Sequence, residues 1–412
     1  MIKKRIFIKG DLILESPISI GSGSDNFSDK DIVVDADFKP FIPATSLAGC
    51  IRDYLTTNFG KGITDELFGS IKKEGSTKGF KSNIIFYHAY LKQDKYNLIF
   101  RDGIRIDRTL QTTIDKSKYD FQAIDKGTVF DFKAEVEIRD KEKELTELID
   151  YMLNALANSH IRIGYKKNRG YGKFKLSNIK KLTLQFPDDA EKWINFDWEK
   201  SEFEEFKPDH LTQTDYKEIK ATFDIPYQLI VRDFDINEEA DFVNIKSDGK
   251  PIIPATSWTG IIRSTLEKIS EETNLKTVKD MVDEIFGYVD NKNSKPSSVI
   301  IEDSPIEDAI EMNYTQNRID RFTSGVIENA LFTQKNIYTG RTTLSIKVKS
   351  NVWNKAKDLL MLAITEIGLG LAPIGGSKTT GKGILTLKEL NYDNKTITIE
   401  DLLSYNFSIP SN

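Results

Sequence analysis

The chain holds 412 residues, 39% of them hydrophobic and 10% aromatic, with 58 Lys and Arg against 63 Asp and Glu for a net charge of -5. That length fits two domains, and that apolar content builds real cores and excludes global disorder. A single cysteine, Cys50, and three scattered histidines, His88, His160 and His210, exclude a disulfide framework, a cysteine-rich zinc site and a catalytic histidine pair. No stretch nears membrane-span length and the N-terminus has charge without an apolar signal core, so a soluble, cytoplasmic protein with no membrane partner is expected.

The charge is uneven. From Asp188 to Asp209 nine acidic residues face three lysines, whereas His160 to Lys181 holds eight Lys and Arg and no acid. A polyanion meets the local field rather than the sum, so the negative total does not exclude nucleic-acid binding.

The first predicted strand, Arg5 to Leu14, places Ile6, Ile8, Leu12 and Leu14 on one face at period two. A polar, turn-rich loop follows through Asp31, and then Ile42-Pro43-Ala44-Thr45-Ser46 opens an amphipathic helix, with a Thr or Ser expected to cap it. Its apolar positions are Leu47, Cys50, Ile51, Tyr54 and Leu55; Arg52 lies beside the stripe. Gly49 inside that helix costs about 1 kcal/mol against Ala, which suggests that something approaches the backbone there. After the Leu67-Phe68-Gly69 turn come a strand (Asn83 to Ala89), Ile106-Asp107-Arg108, and a polar stretch, Thr109 to Asp125, read as a loop or a projecting hairpin. A second amphipathic helix (Leu145 to Leu156), a Gly- and Lys-rich loop (Gly164 to Gly172) and a last strand (Lys173 to Leu176) complete the unit.

The whole series then returns. Ile219 to Val231 repeats the first strand, Ile253-Pro254-Ala255-Thr256-Ser257 the helix start, and Gly260 and Arg263 the helix glycine and arginine. Ile285-Phe286-Gly287, Ile319-Asp320-Arg321, the helix from Val352 to Ile364 and the loop from Gly375 to Gly383 follow in the same order. A period this long means two fused domains rather than a solenoid. The division expected is 1–185, an acidic Trp-containing linker at 186–215, and 216–412. Strand, helix, strand, strand, helix, strand is an α+β, ferredoxin-like pattern.

The ordered set Ile-Pro-x-x-Ser-x-x-Gly-x-x-Arg, the LFG turn, Ile-Asp-Arg and the Gly-x-Gly loop resembles the RAMP superfamily of CRISPR proteins, and most of all the backbone subunit of type III effector complexes. The resemblance spans nearly the whole chain twice, as in a tandem fusion of two such subunits. It implies two RRM-like domains with inserted thumb hairpins, binding a CRISPR RNA and its target RNA beside other effector subunits. It also implies metal-dependent target-RNA cleavage (Mg2+ or Mn2+) by an aspartate in the loop before the Ile-Pro element. The matching positions are Asp31 and Asp241, with Asp29 and Asp35, or Asp235 and Glu239, as neighbours able to take the role. Alternatives are a crRNA-binding scaffold that does not cut and a CRISPR RNA-processing endoribonuclease; no histidine recurs to serve the latter.

The candidate RNA contacts follow. Ser46, Gly49 and Arg52, with Ser257, Gly260 and Arg263, form one set per copy; the arginines are either phosphate clamps or ordinary helix-face residues. Arg108 and Arg321 either meet RNA near the thumb or pair with Asp107 and Asp320. In the Gly-rich loops Lys166, Lys167, Arg169 and Tyr171, and Gly376, Lys378 and Lys382, combine cations with flexible backbone suited to phosphates, and Tyr165 or Tyr171 suits base stacking. The family's frequent lysine after the Ser is replaced by Ala48 and Thr259, and only the second loop has paired glycines, Gly375 and Gly376.

Overall fold

The computed structural model describes residues 2–23, 28–70, 79, 81–104, 113–211, 215–233, 240–289 and 294–408. Its chain divides into two compact units, residues 1–167 with 171–213 and residues 168–170 with 214–412. Both are mixed α+β.

In the first unit the chain runs β1 (Lys4–Leu14), β2 (Phe41–Ile42), α1 (Ala44–Phe59), α2 (Lys61–Phe68), β3 (Ile84–Phe86), β4 (Ala89–Tyr90), β5 (Leu98–Gly103), β6 (Tyr119–Ile124), β7 (Val129–Ile138), α3 (Glu142–Ala157), β8 (Phe174–Gln185), α4 (Ala190–Ile194) and β9 (Glu204–Glu205). The sheet order is β3-β7-β1-β8-β9, with every neighbouring pair antiparallel. The period-two face of β1 turns Ile6, Ile8, Leu12 and Leu14 into a core shared with Leu47, Ile51 and Leu55 of α1 and with the apolar stripe of α3.

The other face of this sheet is covered too. Phe7 points away from the core, and the Phe196 ring stacks on it with centroids 3.8 Å apart. Trp198 meets Phe7 edge-on, the Arg5 guanidinium lies 4.6 Å from the Trp193 ring, and Lys9 lies 4.5 Å from that of Phe203. β9 then pairs with Lys180 and Lys181 of β8. The stretch expected as an acidic linker is therefore folded onto the first unit. Its aromatics bury against Phe7 while its carboxylates face a basic sheet surface, a combination that a free linker would waste. In the second unit the residue after the buried Ile219 is Lys220, exposed and with nothing apolar to cover.

The second unit runs β10 (Tyr216–Ile225), β11 (Arg232–Asp233), β12 (Val243–Asn244), β13 (Lys246–Ser247), β14 (Lys250–Ile253), α5 (Ala255–Thr273), α6 (Lys276–Phe286), β15 (Tyr288–Val289), β16 (Ser294–Lys295), β17 (Val299–Ile301), β18 (Ser304–Gln316), β19 (Phe332–Lys349), α7 (Trp353–Gly368), β20 (Thr386–Tyr392) and β21 (Lys395–Ile397). Its main sheet has the order β13-β14-β18-β19-β10-β20-β21, with β17 also on β19. The series β17-β19-β10-β20 repeats β3-β7-β1-β8. Pro226 ends β10 sooner than the apolar alternation to Val231 suggests, because proline cannot donate to the ladder. β18 and β19 pair as one long hairpin, Gln316 opposite Phe332 near its end, and most of the outer part of β18 is exposed. Its first-unit counterpart is the β5–β6 hairpin, Leu98 opposite Ile124 to Gly103 opposite Tyr119. Both hairpins begin earlier in the chain than the polar stretches alone indicate.

Candidate nucleic-acid interface

Near the loop end of each hairpin ladder an aspartate from an earlier loop joins the returning strand. Asp29 N–H donates to Asp120 Oδ1 at 2.9 Å, and Asp120 N–H donates to Asp29 Oδ2 at 3.0 Å. In the second unit Asp241 N–H donates to the Thr333 carbonyl at 2.9 Å, and Asp241 Oδ2 accepts from Thr333 N–H at 2.7 Å. The next contact also corresponds: Gln122 N–H reaches the Lys30 carbonyl at 3.0 Å and Lys335 N–H the Phe242 carbonyl at 2.8 Å. Register thus makes Asp29, not Asp31, the counterpart of Asp241. Asp31 is buried, with its Oδ1 accepting from the Ser28 N–H at 2.9 Å and the Ser28 hydroxyl at 2.8 Å, and the matching position holds the buried Val243. This register pairing differs from the count back from the Ile-Pro element, which sets Asp31 beside Asp241, because the intervening loops differ in length. Asp35 Oδ1 accepts from the Asp37 and Lys39 N–H groups, both at 2.9 Å, and braces a turn. Asp235 and Glu239 lie outside the described residues.

A cation and an aromatic ring sit beside each aspartate. Lys30 lies 3.9 Å from the Tyr165 ring centroid, and Lys166 lies 3.9 Å from that of Phe121. In the second unit Arg232 lies 4.9 Å from the Phe242 ring and donates to Ser377 Oγ at 2.8 Å. Lys30, Arg232 and Phe242 carried no signal in the sequence. Phe242 replaces Lys30 in register while the cation comes from a different strand, so the pairing exists only in three dimensions.

The helix start holds a second surprise. Neither α1 nor α5 has a side-chain cap from its own Thr or Ser. The Ala44 N–H instead donates to His88 Nδ1 at 3.1 Å, and the Ala255 N–H to Asp303 Oδ1 at 2.8 Å. Acceptors from after the next helix thus serve the orphan amide. Ser46 and Ser257 are half-buried in the first turns. Gly49 and Gly260 are exposed, and a Cβ added at either meets nothing within 4 Å. Among the described residues no packing requires glycine there.

Arg52 and Arg263 have a job inside the fold. Arg52 donates to Asp65 at 2.7 Å and to the Gly69 carbonyl at 3.0 Å. Arg263 donates to Asp283 at 2.9 Å, Glu267 at 2.9 Å and the Gly287 carbonyl at 3.2 Å. Gly69 and Gly287 end the following helices with φ of 80° and 73°, so each guanidinium meets the negative end of a helix. This shared duty accounts for the recurrence of the arginine together with the LFG turn.

The Gly-rich loops divide likewise. A Cβ on Gly172 would lie 2.0 Å from the Ile163 carbonyl oxygen, and one on Gly383 1.9 Å from that of Ile374, both at φ near 80°. These glycines are required by the backbone. Tyr171 is buried against Phe121 and Ala123, so it is not placed to stack a base. Lys382 is buried and donates to Gln334 Oε1 at 2.8 Å, and burial with the Arg232 charge nearby lowers its pKa. Burial also lowers the pKa of Lys378. Lys166, Lys167 and Gly376 are half-buried and Arg169 is exposed. Gly376 N–H donates to the Ile230 carbonyl at 2.7 Å, as Tyr165 N–H does to Ser19 at 2.8 Å.

Near the tip of the second hairpin Arg321 is exposed. Asp320 accepts from the Phe322 N–H at 2.9 Å and the Thr323 N–H at 2.8 Å, and these bonds hold its carboxyl below the usual carboxylate range. Arg108 lies outside the described residues. Among the described residues no three His, Cys, Asp or Glu side chains converge as a metal site, and no helix is long and apolar enough to cross a membrane.

No curated protein matches the chain. A model of the RAMP superfamily matches residues 11–175 and again residues 233–386. Those two stretches carry the two strand–helix–hairpin–helix series described above, and the chain belongs to the RAMP superfamily, whose role is CRISPR-associated RNA binding.

Proposed function

We propose that this chain is a two-unit backbone segment of a type III CRISPR effector that grips a CRISPR RNA and cuts the paired target RNA at two places, beside Asp29 and Asp241. The strand order β3-β7-β1-β8, repeated as β17-β19-β10-β20, supports a ferredoxin-like, RRM-related reading of each unit. The observation that carries the cleavage reading is the register-matched aspartate near the loop end of each hairpin ladder, where a projecting element would splay a nucleotide next to a carboxylate. Gly49 and Gly260, open on a helix face where an added Cβ would meet none of the described residues within 4 Å, support close approach of an RNA backbone.

The residues fit a divalent ion. Asp29 with Asp120 in the first unit, and Asp241 in the second, offer hard carboxylate oxygens of the kind Mg2+ or Mn2+ prefers, with RNA phosphate and water to complete the set. Such an ion would supply charge neutralisation at the scissile phosphate. The chain's own part is to hold the carboxylate still, through the backbone amides of Asp120 and Thr333, and to place Lys30 or Arg232 beside the phosphate.

The reading of a scaffold that binds without cutting draws on the same geometry, since each carboxylate already braces a hairpin. Cleavage of target RNA by the assembled effector with Mg2+ or Mn2+ separates the two. Asp29→Ala and Asp241→Ala are each expected to remove their own set of products with RNA binding retained, and the double variant to remove both. Asp31→Ala is expected to lower stability and leave the product pattern of the folded protein intact. Wild-type cleavage by the double variant would leave the scaffold reading standing.

A further inference from the structure

The two units differ sharply at one place. In the first, Phe121, Ala123 and Tyr171 pack into a small apolar cluster of their own. The hydrogen-bond register identifies the equivalents. Ile124 exchanges backbone bonds with Ile18 as Ile337 does with Leu229, and Gly172 N–H meets the Pro17 carbonyl as Gly383 N–H meets that of Gln228. The second unit therefore holds Gln334, Asn336 and Lys382 where the first holds Phe121, Ala123 and Tyr171.

These three polar side chains are 0%, 0% and 3% exposed. Gln334 Nε2 and Asn336 Oδ1 are buried with no hydrogen-bond partner among the described residues. Buried polar atoms left unpaired cost stability, and the first unit closes the same site with apolar groups. Beside Lys382, which Gln334 backs, and Gln228, which Asn336 backs, opens a cavity of about 360 Å³, lined among others by Tyr227, Gln228, Tyr314, Gln316, Tyr338 and Lys382. Tyr227 is 61% exposed and Tyr314 38%, so ring faces are available at the mouth. Lys382 Nζ lies 5.1 Å from the Tyr314 centroid.

The floor is rich in donors. Gln228 Oε1 is taken by Asn336 Nδ2 at 3.0 Å, which leaves the Gln228 amide N–H groups to face a ligand. Lys382 spends one N–H on Gln334 Oε1 and has two more. Aromatic walls above a donor floor fit a flat ring that carries carbonyl oxygens.

We propose that this cavity binds one unstacked RNA nucleotide whose base presents a ring carbonyl, that is uracil, guanine or cytosine, and that the first unit, plugged at the same place, has no such site. Adenine, with no carbonyl, binds worst. The proposal rests on the RNA-binding reading given above and adds base selectivity confined to one unit.

The test titrates the purified full chain with fluorescein-labelled 12-nucleotide oligouridylate and oligoadenylate, and crosslinks a 12-mer carrying one 4-thiouridine for mapping by mass spectrometry. Wild type is compared with Tyr227→Ala and with the exchange of Gln334→Phe, Asn336→Ala and Lys382→Tyr, which installs the first unit's residues. Expected are a preference for oligouridylate of about tenfold, the scale of one base stacked and recognised, its loss in both variants, and an adduct on Tyr227, Tyr314 or Tyr338. If the exchange variant does not fold, Tyr227→Ala, which removes an exposed ring, carries the comparison alone. Tight binding of both RNAs without preference and without an adduct in the cavity overturns the pocket and leaves the RNA-binding reading intact. Failure to bind either RNA overturns both.

Discussion

Replacing Arg263 by alanine distinguishes a fold clamp from a phosphate clamp. Its side chain is 19% exposed and joins Asp283, Glu267 and the Gly287 carbonyl, whereas the Arg52 side chain is 42% exposed and joins Asp65 and the Gly69 carbonyl. Charge-assisted bonds contribute about 1.5–3 kcal/mol when shielded, and exposed ion pairs under about 1 kcal/mol. Arg263→Ala should therefore cost about 2–3 kcal/mol, counting one well-shielded interaction and partial rescue by water, and Arg52→Ala about 1 kcal/mol. For a unit near 200 residues that is roughly 4–12 °C for Arg263→Ala. Urea unfolding of the full chain followed by circular dichroism reads the midpoint, and salt-dependent RNA titration of the same variants reads phosphate contacts. The clamp predicts a lower midpoint for the second unit with the slope of log affinity against log salt unchanged. An unchanged midpoint with that slope reduced by about one contact would refute the structural assignment and restore a phosphate role.

Gly49→Ala and Gly260→Ala, with open space for the new methyl, should each raise stability by about 1 kcal/mol in thermal unfolding; weaker RNA binding by the same variants would locate the approaching backbone. Gly172→Ala and Gly383→Ala should instead cost about 3 kcal/mol or more, because the Cβ would overlap the carbonyl of Ile163 or Ile374 at positive φ; soluble yield and midpoint check this. Phe196→Ala should lower the stability of the first unit by about 2 kcal/mol through loss of the Phe7 stack, with accelerated proteolysis near residues 186–205 as the readout. Asp320 has its pKa depressed by backbone N–H bonds, so the turn it braces is intact above the unperturbed carboxylate value and loosens as pH falls through the depressed one; amide exchange at Phe322 and Thr323 should accelerate only in acid.

The duplication, the order of elements and the core faces of β1, α1 and α3 were legible in the sequence, because period-two and period-3.6 patterns are local and each repeats. The recurrence of Gly172 and Gly383 was legible as well, but that their backbone requires glycine was not, because the carbonyls of Ile163 and Ile374 impose it. The partner of Asp241 was not, since loops of unequal length defeat counting and only the contacts with Asp120 and Thr333 fix the register. Nor were the duties of Arg52 and Arg263, whose partners lie beyond the helix that carries them. The acidic stretch read as a linker because its composition is that of one; Phe7, far away in the chain, makes it a sheet cover. The sequence by itself determined two copies of an α+β unit and where each buries its apolar face. Only the tertiary structure decided which carboxylate meets each hairpin and which unit keeps a polar cavity, because both depend on side chains that meet across strands distant in sequence.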